Sequence, residues 1–150
     1  MSFTLETPSD THAFGVRLAS LLRAGDLLVL AGPLGAGKTA LTQGIGAGLG
    51  VGGKIVSPTF VIARVHRGPL PLVHVDAYRL GSLDEVDDLD LDVSVGESVT
   101  VVEWGSGLAE RLADAHLLVS ITRAPESEVR EISLTPVGGD WAERINKVNE

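Results

Sequence analysis

A continuous apolar run, Leu-Leu-Val-Leu-Ala at residues 27–31, leads directly into a glycine-rich segment and then into a helix-forming sequence. An uninterrupted apolar run of this length is typical of a β-strand that is covered on both faces in a parallel sheet. The next segment, Gly-Pro-Leu-Gly-Ala-Gly-Lys-Thr at residues 32–39, has the spacing Gly-x-x-x-x-Gly-Lys-Thr. A strand, this spacing and a helix in that order predict a phosphate-binding loop, the P-loop, and hence an α/β P-loop fold.

The predicted P-loop supplies the groups that a nucleoside triphosphate with magnesium requires. Glycine lets successive backbone N–H groups turn toward phosphate oxygens, and the positive end of the following helix dipole points at the anion. Lys38 is expected to bridge the β- and γ-phosphates, and the Thr39 hydroxyl is expected to ligate magnesium. The predicted nucleotide-binding residues are Gly32, Gly35, Ala36, Gly37, Lys38, Thr39 and Ala40.

The alternative is a glycine-rich turn that only joins a strand to a helix. Such a turn does not need Lys38, because a lysine at a helix N-terminus faces the positive end of the dipole unless an anion is present. The phosphate-binding interpretation is therefore favoured.

A P-loop enzyme also needs a carboxylate at the end of a neighbouring strand to help hold the metal. Asp76 follows Leu-Val-His-Val and Glu103 follows Val-Thr-Val-Val, so both end a predicted strand. Spacing alone does not separate the two, and each has the alternative of being a solvated carboxylate at a strand end.

The remaining pattern completes an α/β fold within one predicted domain, residues 1–150. A helix capped by Ser9 or Asp10 is expected before the first buried strand, and the helix after the P-loop is expected to fade among Gly46, Gly48 and Gly50. Strands are predicted at residues 3–6, 60–65, 72–76, 99–103, 116–121 and 129–137, and further helices at 82–86, at 108–112 and, short and polar, from 140. The predicted architecture is a P-loop three-layer sandwich whose mostly parallel sheet is extended by antiparallel strands. The strand order stays open.

The composition limits the partners and the cellular location that are expected for this protein. The formal net charge of −8 provides no overall positive field for nucleic acid or anionic lipid, so direct tight binding to RNA or DNA is disfavoured. The chain has no cysteine, which excludes disulfides and thiolate sites and suits a reducing compartment. No targeting or membrane-spanning pattern is found, so a cytoplasmic location is expected.

Four motifs together give a resemblance to a known family. They are Gly-Pro-Leu-Gly-Ala-Gly-Lys-Thr at 32–39, Ser-Pro-Thr-Phe at 57–60, His-Val-Asp-Ala-Tyr-Arg-Leu at 74–80 and Glu-Trp-Gly at 103–105. In order, separation and total length they resemble the TsaE (YjeE) family, the ATPase component of bacterial tRNA threonylcarbamoyladenosine biosynthesis. The chain departs from the usual pattern at Pro33, where the family usually has aspartate, and at Ala40, where it often has a second threonine. Neither side chain is needed to bind phosphate, because backbone N–H groups and Lys38 do so.

The resemblance implies roles for the residues that the motifs contain. It assigns magnesium to Thr39 and Glu103, leaves Asp76 to a segment near the γ-phosphate that resembles a switch, and makes Thr59 similar to the switch threonine of a GTPase. The alternative for Thr59 is a residue that fixes the turn after Pro58.

The last two motifs also contain residues that are expected to contact a partner or to act in the segment that resembles a switch. Trp104 is expected to pack near the nucleotide or to face a partner, with burial in the core as the alternative. Tyr78 and Arg79 are expected to order the segment after Asp76, and an ion pair of Arg79 with nearby acidic residues is the alternative.

The function implied by the resemblance is a magnesium-dependent ATPase that acts on the TsaB–TsaD complex and contacts tRNA only through that complex. No arginine finger or water-positioning residue is recognisable, so hydrolysis by the isolated chain is expected to be weak. A small-molecule kinase and a nucleotide-dependent switch with negligible catalysis are the competing hypotheses. The preference for ATP over GTP follows from the resemblance alone.

Overall fold

The computed structural model describes residues 2–32, 37–51, 63–76, 97–103, 115–123 and 126–149. In chain order the elements are β1 (Ser2–Leu5), α1 (Pro8–Ala19), β2 (Leu27–Ala31), α2 (Lys38–Leu49), β3 (Ala63–His66), β4 (Leu72–Asp76), β5 (Val99–Glu103), β6 (His116–Arg123), β7 (Arg130–Val137), α3 (Trp141–Ile145) and a 3-10 turn (Asn146–Asn149). The predicted helices at 82–86 and 108–112, and the predicted start of β3 at 60–62, lie outside the described residues.

The described strands form one seven-stranded sheet in the order β1-β7-β6-β2-β5-β4-β3. Its centre, β6-β2-β5-β4, is parallel, whereas β3 at one edge and β7 and β1 at the other pair antiparallel. This confirms the predicted α/β class with a mostly parallel sheet extended by antiparallel strands. No helix within the described residues is long and apolar enough to cross a membrane.

The topology brings several chain segments to one edge of the sheet. Parallel strands end at the same edge, so β4, β5 and β6 all end beside the carboxyl end of β2, where the predicted P-loop starts. Strand β7 runs in the opposite direction, so its first residue, Arg130, also lies there, in register with Arg123 of β6. We call this the P-loop edge.

The core strands form because apolar side chains are covered on both sheet faces. Every residue of β5 is buried, and so is β2 from Leu27 to Leu30. This explains why continuous apolar runs, rather than alternation, mark these strands in the sequence. The bounds predicted for β2, β4 and β5 are those observed.

Helix α1 begins two or three residues earlier than the sequence predicts. Its N-cap is Thr7, whose hydroxyl accepts from the Asp10 N–H at 3.1 Å, while the Asp10 carboxylate accepts from the Thr7 N–H at 3.2 Å. This reciprocal capping box places Ser9 and Asp10 inside the helix. The proposed caps at Ser9 or Asp10 were therefore wrong.

Helix α2 passes through Gly46 and Gly48 and ends at the last of the three glycines where it was expected to fade. It continues to Leu49 and ends at Gly50, which has a φ of 74°.

Glycines in both helices allow α1 and α2 to approach closely. A Cβ on Gly44 of α2 would lie 2.1 Å from the carbonyl oxygen of His12, and a Cβ on Gly15 of α1 would lie 2.5 Å from the carbonyl oxygen of Leu41. The two helices therefore pack backbone against backbone, which holds α2 in place behind the P-loop edge.

A Gly44→Ala substitution tests this packing by the sign of its effect. Helix propensity alone would stabilise the chain by about 1 kcal/mol. The clash with His12 is expected to destabilise it instead by about 1–3 kcal/mol, as overpacking usually does. Urea unfolding measures the difference, with Ala47→Gly at an exposed position of α2 as the control for propensity. A more stable Gly44→Ala chain would contradict the close packing.

The C-terminal helix α3 is less polar than its sequence indicated. Trp141 and Ile145 are buried, and the Arg144 guanidinium lies 4.1 Å from the centroid of the Trp141 ring. Arg144 also pairs with the carboxylate of Asp26 and donates to the carbonyl of Leu21. The hydrogen bond to Asp26 raises the pKa of Arg144. These contacts fix the chain just before β2.

Candidate functional site

The N-terminus of α2 presents backbone donors toward the P-loop edge. The first helical hydrogen bond runs from the Leu41 N–H to the Gly37 carbonyl, so the N–H groups of Lys38, Thr39 and Ala40 have no acceptor within the helix. No side chain caps this end, and its first turn carries no acidic residue. Helix α1, by contrast, is capped by Thr7 and Asp10. The end of α2 is thus suited to an anion from outside the helix.

Lys38 is the charged residue at this end of the helix. It is only 6% exposed, and its Nζ donates to the carbonyl oxygen of Gly32 at 2.9 Å. Gly32 directly follows β2, so this hydrogen bond crosses from one end of the P-loop to the other. A buried ammonium group beside the positive end of a helix dipole is unfavourable without an anion. A phosphate group bound at this end of the helix would lie within reach of both the ammonium group and the backbone donors.

Gly37 has a φ of 108°, a conformation that side chains other than glycine rarely adopt. It also has a close neighbour from β7: a Cβ on Gly37 would lie 3.2 Å from Nε and 3.6 Å from Cδ of Arg130. Arg130 is 8% exposed, so its side chain is enclosed against the P-loop backbone. Glycine is needed at position 37 for both backbone conformation and space.

Glu103 ends the strand next to β2. Its register partners are Leu30 of β2 and Asp76 of β4, so the backbones of the two predicted carboxylate residues are neighbours at the P-loop edge. The Glu103 side chain is buried, and its Oε2 lies 3.6 Å from Nε2 of His74. Within the part of the chain that the structure describes, neither nitrogen of the fully buried His74 has a hydrogen-bond partner. Glu103 is therefore a buried carboxylate held beside an imidazole.

The donor set at this edge fits magnesium. A hydroxyl, from Thr39, and a carboxylate, from Glu103, are hard oxygen ligands, and a magnesium ion at a nucleotide site usually keeps several waters and phosphate oxygens. Within the described residues there is no group of three or more histidine, cysteine or acidic side chains that would hold a metal by protein ligands alone. The residues present suit a metal that arrives with the nucleotide.

Several predicted site residues fall outside the part of the chain that the structure describes. They are Gly35 and Ala36 of the P-loop, Thr59, Tyr78, Arg79 and Trp104; of Asp76 only the backbone is described. The structure does bring together Gly32, Gly37, Lys38, Thr39 and Ala40, with Glu103 on the neighbouring strand.

Two neighbours of this site were not assigned a role there from sequence. His74 was noted only as part of a motif, although its place two residues before Asp76 in a strand puts it on the same face as a strand-end residue. Arg130 gave no signal, because its approach to Gly37 depends on β7 pairing with β6 and on the strand order. Only the tertiary structure could reveal that contact.

Comparisons with known proteins agree with the P-loop geometry and the motif order. The family described as "Threonylcarbamoyl adenosine biosynthesis protein TsaE" matches residues 5–132. The tRNA threonylcarbamoyladenosine biosynthesis protein TsaE of Streptomyces coelicolor is 60% identical over 136 residues, covering 85% of this chain and 91% of the relative. Its namesake from Mycobacterium tuberculosis H37Rv is 50% identical over 137 residues, covering 85% and 82%.

A solved structure extends the comparison to the fold. The crystal structure of YdiB from Bacillus subtilis superimposes with a TM-score of 0.81 at 33% sequence identity, covering 99% of this chain and 93% of YdiB. With a family match over most of its length and relatives at half identity or more, the chain belongs to the TsaE family of threonylcarbamoyl adenosine biosynthesis proteins.

Proposed function

We propose that the chain is the magnesium-dependent ATPase subunit of the bacterial machinery that makes N6-threonylcarbamoyladenosine next to the tRNA anticodon. The observation that carries the proposal is the uncapped N-terminus of α2 with the buried Lys38, beside the buried carboxylate of Glu103. Membership of the TsaE family connects this nucleotide site with tRNA modification. A cytoplasmic location follows from the same proposal.

Backbone N–H groups and the Lys38 side chain both contribute to binding the phosphates of ATP. The N–H groups of Lys38, Thr39 and Ala40 donate to phosphate oxygens, together with those of Gly35, Ala36 and Gly37 in the loop. Lys38 donates to the β- and γ-phosphates, either in place of its hydrogen bond to Gly32 or in addition to it. Because the helix fixes the N–H groups of Lys38, Thr39 and Ala40, these donors need little reorganisation when the nucleotide binds.

Thr39 and Glu103 are the proposed ligands of magnesium, directly or through water. When bound, the ion neutralises charge on the β- and γ-phosphate oxygens. Glu103 is suited to this role because its buried carboxylate ends the strand next to β2, at the edge where the P-loop starts. Lys38, Asp76, Glu103 and Thr59 are the residues proposed to act in hydrolysis, with Asp76 and Thr59 sensing the γ-phosphate.

The partners proposed for this subunit are TsaB and TsaD. ATP and magnesium would order the segments that contain Thr59 and Asp76, and the resulting surface, with Tyr78, Arg79 and Trp104, would meet the TsaB–TsaD complex. Threonylcarbamoyl transfer then takes place on the partner and hydrolysis resets the cycle. The net charge of −8 agrees with a subunit that meets tRNA only through the complex.

ATP hydrolysis by the purified chain, alone and mixed with TsaB and TsaD, tests the proposal. Slow magnesium-dependent turnover by the chain alone and at least tenfold faster turnover with both partners are expected, because the partner completes the active site. Fast turnover that ignores the partners would contradict this account. Transfer of the γ-phosphoryl group to a metabolite instead of water would establish the competing kinase activity.

A further inference from the structure

We propose that His74 is a positioning residue for Glu103: its imidazole donates a hydrogen bond from Nε2 to the Glu103 carboxylate and so fixes the direction in which that carboxylate faces magnesium. The inference rests on the proposed function, because it names a residue that acts through a proposed ligand of the metal. It is carried by the burial of His74 and by the place of its ring beside the carboxylate.

Strand pairing places His74 next to Glu103 on one face of the sheet. Asp76 of β4 is in register with Glu103 of β5, and residues two apart in a strand share a face, so His74 lies one step below Glu103, toward the interior of the sheet. Val101, the register partner of His74, belongs to the apolar core to which α1 and α2 contribute. His74 therefore lies at the boundary between that core and the carboxylate at the P-loop edge.

Burial of an imidazole at this boundary is costly unless its nitrogens are hydrogen-bonded. His74 is fully buried, and within the described residues neither Nδ1 nor Nε2 has a hydrogen-bond partner. A buried polar group that is left without a partner costs about 1–3 kcal/mol. Leu72, two residues earlier on the same face, is equally buried, so an apolar side chain would fill such a position without that cost. Packing alone therefore does not explain an imidazole here.

The Glu103 carboxylate is within reach of this nitrogen. Its Oε2 lies 3.6 Å from Nε2, and an N–H···O hydrogen bond is about 2.9 Å long, so the two atoms need to approach by only about 0.7 Å for the bond to form. A neutral imidazole has one N–H donor, and an ionised carboxylate accepts through either oxygen. Carboxylates that ligate a metal are commonly held by such a partner. The bond uses one carboxylate oxygen and leaves the other for magnesium or one of its waters.

The experiment measures how strongly nucleotide binding depends on magnesium. Isothermal titration calorimetry gives the dissociation constant of the non-hydrolysable ATP analogue AMP-PNP in EDTA and in magnesium, and the ratio of the two is the coupling between metal and nucleotide. His74→Leu is expected to lower this ratio about tenfold, the lower end of the loss that is usual when a residue holding a metal ligand is removed. The dissociation constant in EDTA should stay within about twofold of wild type, because the phosphate donors of α2 are unchanged.

Two further variants separate positioning from folding. In the Glu103→Gln background, His74→Leu should have no further effect on the ratio, because the residue through which His74 acts is already changed. His116→Leu is the matched control. His116 is also buried, and within the described residues its Nδ1 has no partner, but it begins β6, at the end of the sheet opposite the P-loop edge. This variant should keep the wild-type ratio even where it lowers the thermal transition.

Other results would overturn the inference. A His74→Leu chain that keeps the wild-type ratio, or that loses as much in the Glu103→Gln background as without it, would show that His74 does not act through Glu103. If His74→Leu does not fold, two amide variants decide: His74→Gln places an N–H donor near the position of Nε2, and His74→Asn places one near Nδ1. A higher ratio for His74→Gln supports the inference, and equal ratios contradict it. A wild-type chain whose binding of AMP-PNP does not depend on magnesium would contradict the proposed function itself, which distinguishes the two failures.

Discussion

Lys38→Ala is expected to weaken ATP binding at least about 100-fold, equivalent to about 2.7 kcal/mol. The ammonium group is buried at the N-terminus of α2, and its proposed contacts with two phosphate groups would be charge-assisted hydrogen bonds of about 1.5–3 kcal/mol each. Calorimetric titration with ATP and magnesium measures the loss. Lys147→Ala, at an exposed position near the C-terminus, is the matched control and should bind as wild type does.

The same substitution separates binding from folding. Without nucleotide, Lys38→Ala loses the hydrogen bond to Gly32 but also removes a cation from the positive end of a helix. The free energy of unfolding of the nucleotide-free chain is therefore expected to change by no more than about 1 kcal/mol. A variant that binds ATP normally would show that Lys38 holds the loop through Gly32 and does not contact phosphate.

Glu103→Gln is expected to lower partner-stimulated ATP hydrolysis by at least about 100-fold, a loss typical of removing one electrostatic group from an active site. The amide keeps the size of the side chain, so the strand and its contact with His74 should persist. ATP binding measured without magnesium should stay within about threefold of wild type. The magnesium concentration that gives half-maximal turnover should rise.

The matched control for this variant is Glu97→Gln, an exposed carboxylate two residues before the same strand begins. It should hydrolyse ATP at the wild-type rate. Equal rates for Glu103→Gln and wild type would contradict the assignment of Glu103 to the metal and would turn attention to Asp76, the alternative that spacing alone left open. Asp76→Asn then distinguishes the two residues directly.

The part of the fold that sequence predicted best is the part whose pattern is local. Strands β2, β4 and β5 are short runs buried in the sheet, and their bounds followed from hydrophobicity alone. The strand order could not be predicted from hydrophobicity, because it depends on contacts between segments that are far apart in the chain. The P-loop followed from a strand, a spacing and a helix in sequence, all of which are local signals.

The differences between prediction and structure have physical causes. The cap of α1 was assigned to Ser9 or Asp10, whereas Thr7 forms the reciprocal pair with Asp10 three residues later. Gly46, Gly48 and Gly50 were interpreted by the cost of glycine in a helix, but α2 continues to Leu49. A Cβ on Gly48 would lie 2.5 Å from the Cβ of Ala19 in α1, a contact that sequence alone does not show. Tertiary packing overrode propensity at these glycines.

The residues of the candidate site also fall into two groups: those that the local sequence predicts and those that only strand pairing brings to the site. Lys38, Thr39 and Glu103 were identified from motifs and strand ends, and the structure places them around one edge of the sheet. The enclosure of Arg130 against Gly37 and the contact of His74 with Glu103 arise from strand pairing. The roles of Lys38, Thr39 and Glu103 stay predictions, as do those that the family motifs give to Thr59, Asp76, Tyr78, Arg79 and Trp104.

The central claim is that nucleotide turnover at this edge of the sheet supports tRNA modification. The direct measurement is the N6-threonylcarbamoyladenosine content of tRNA, by mass spectrometry of nucleosides, in a bacterial strain depleted of its own TsaE and expressing this chain or a variant at equal level. The account predicts full modification with wild type, Lys147→Ala and Glu97→Gln, and little with Lys38→Ala or Glu103→Gln. Equal modification with Lys38→Ala and wild type would contradict it.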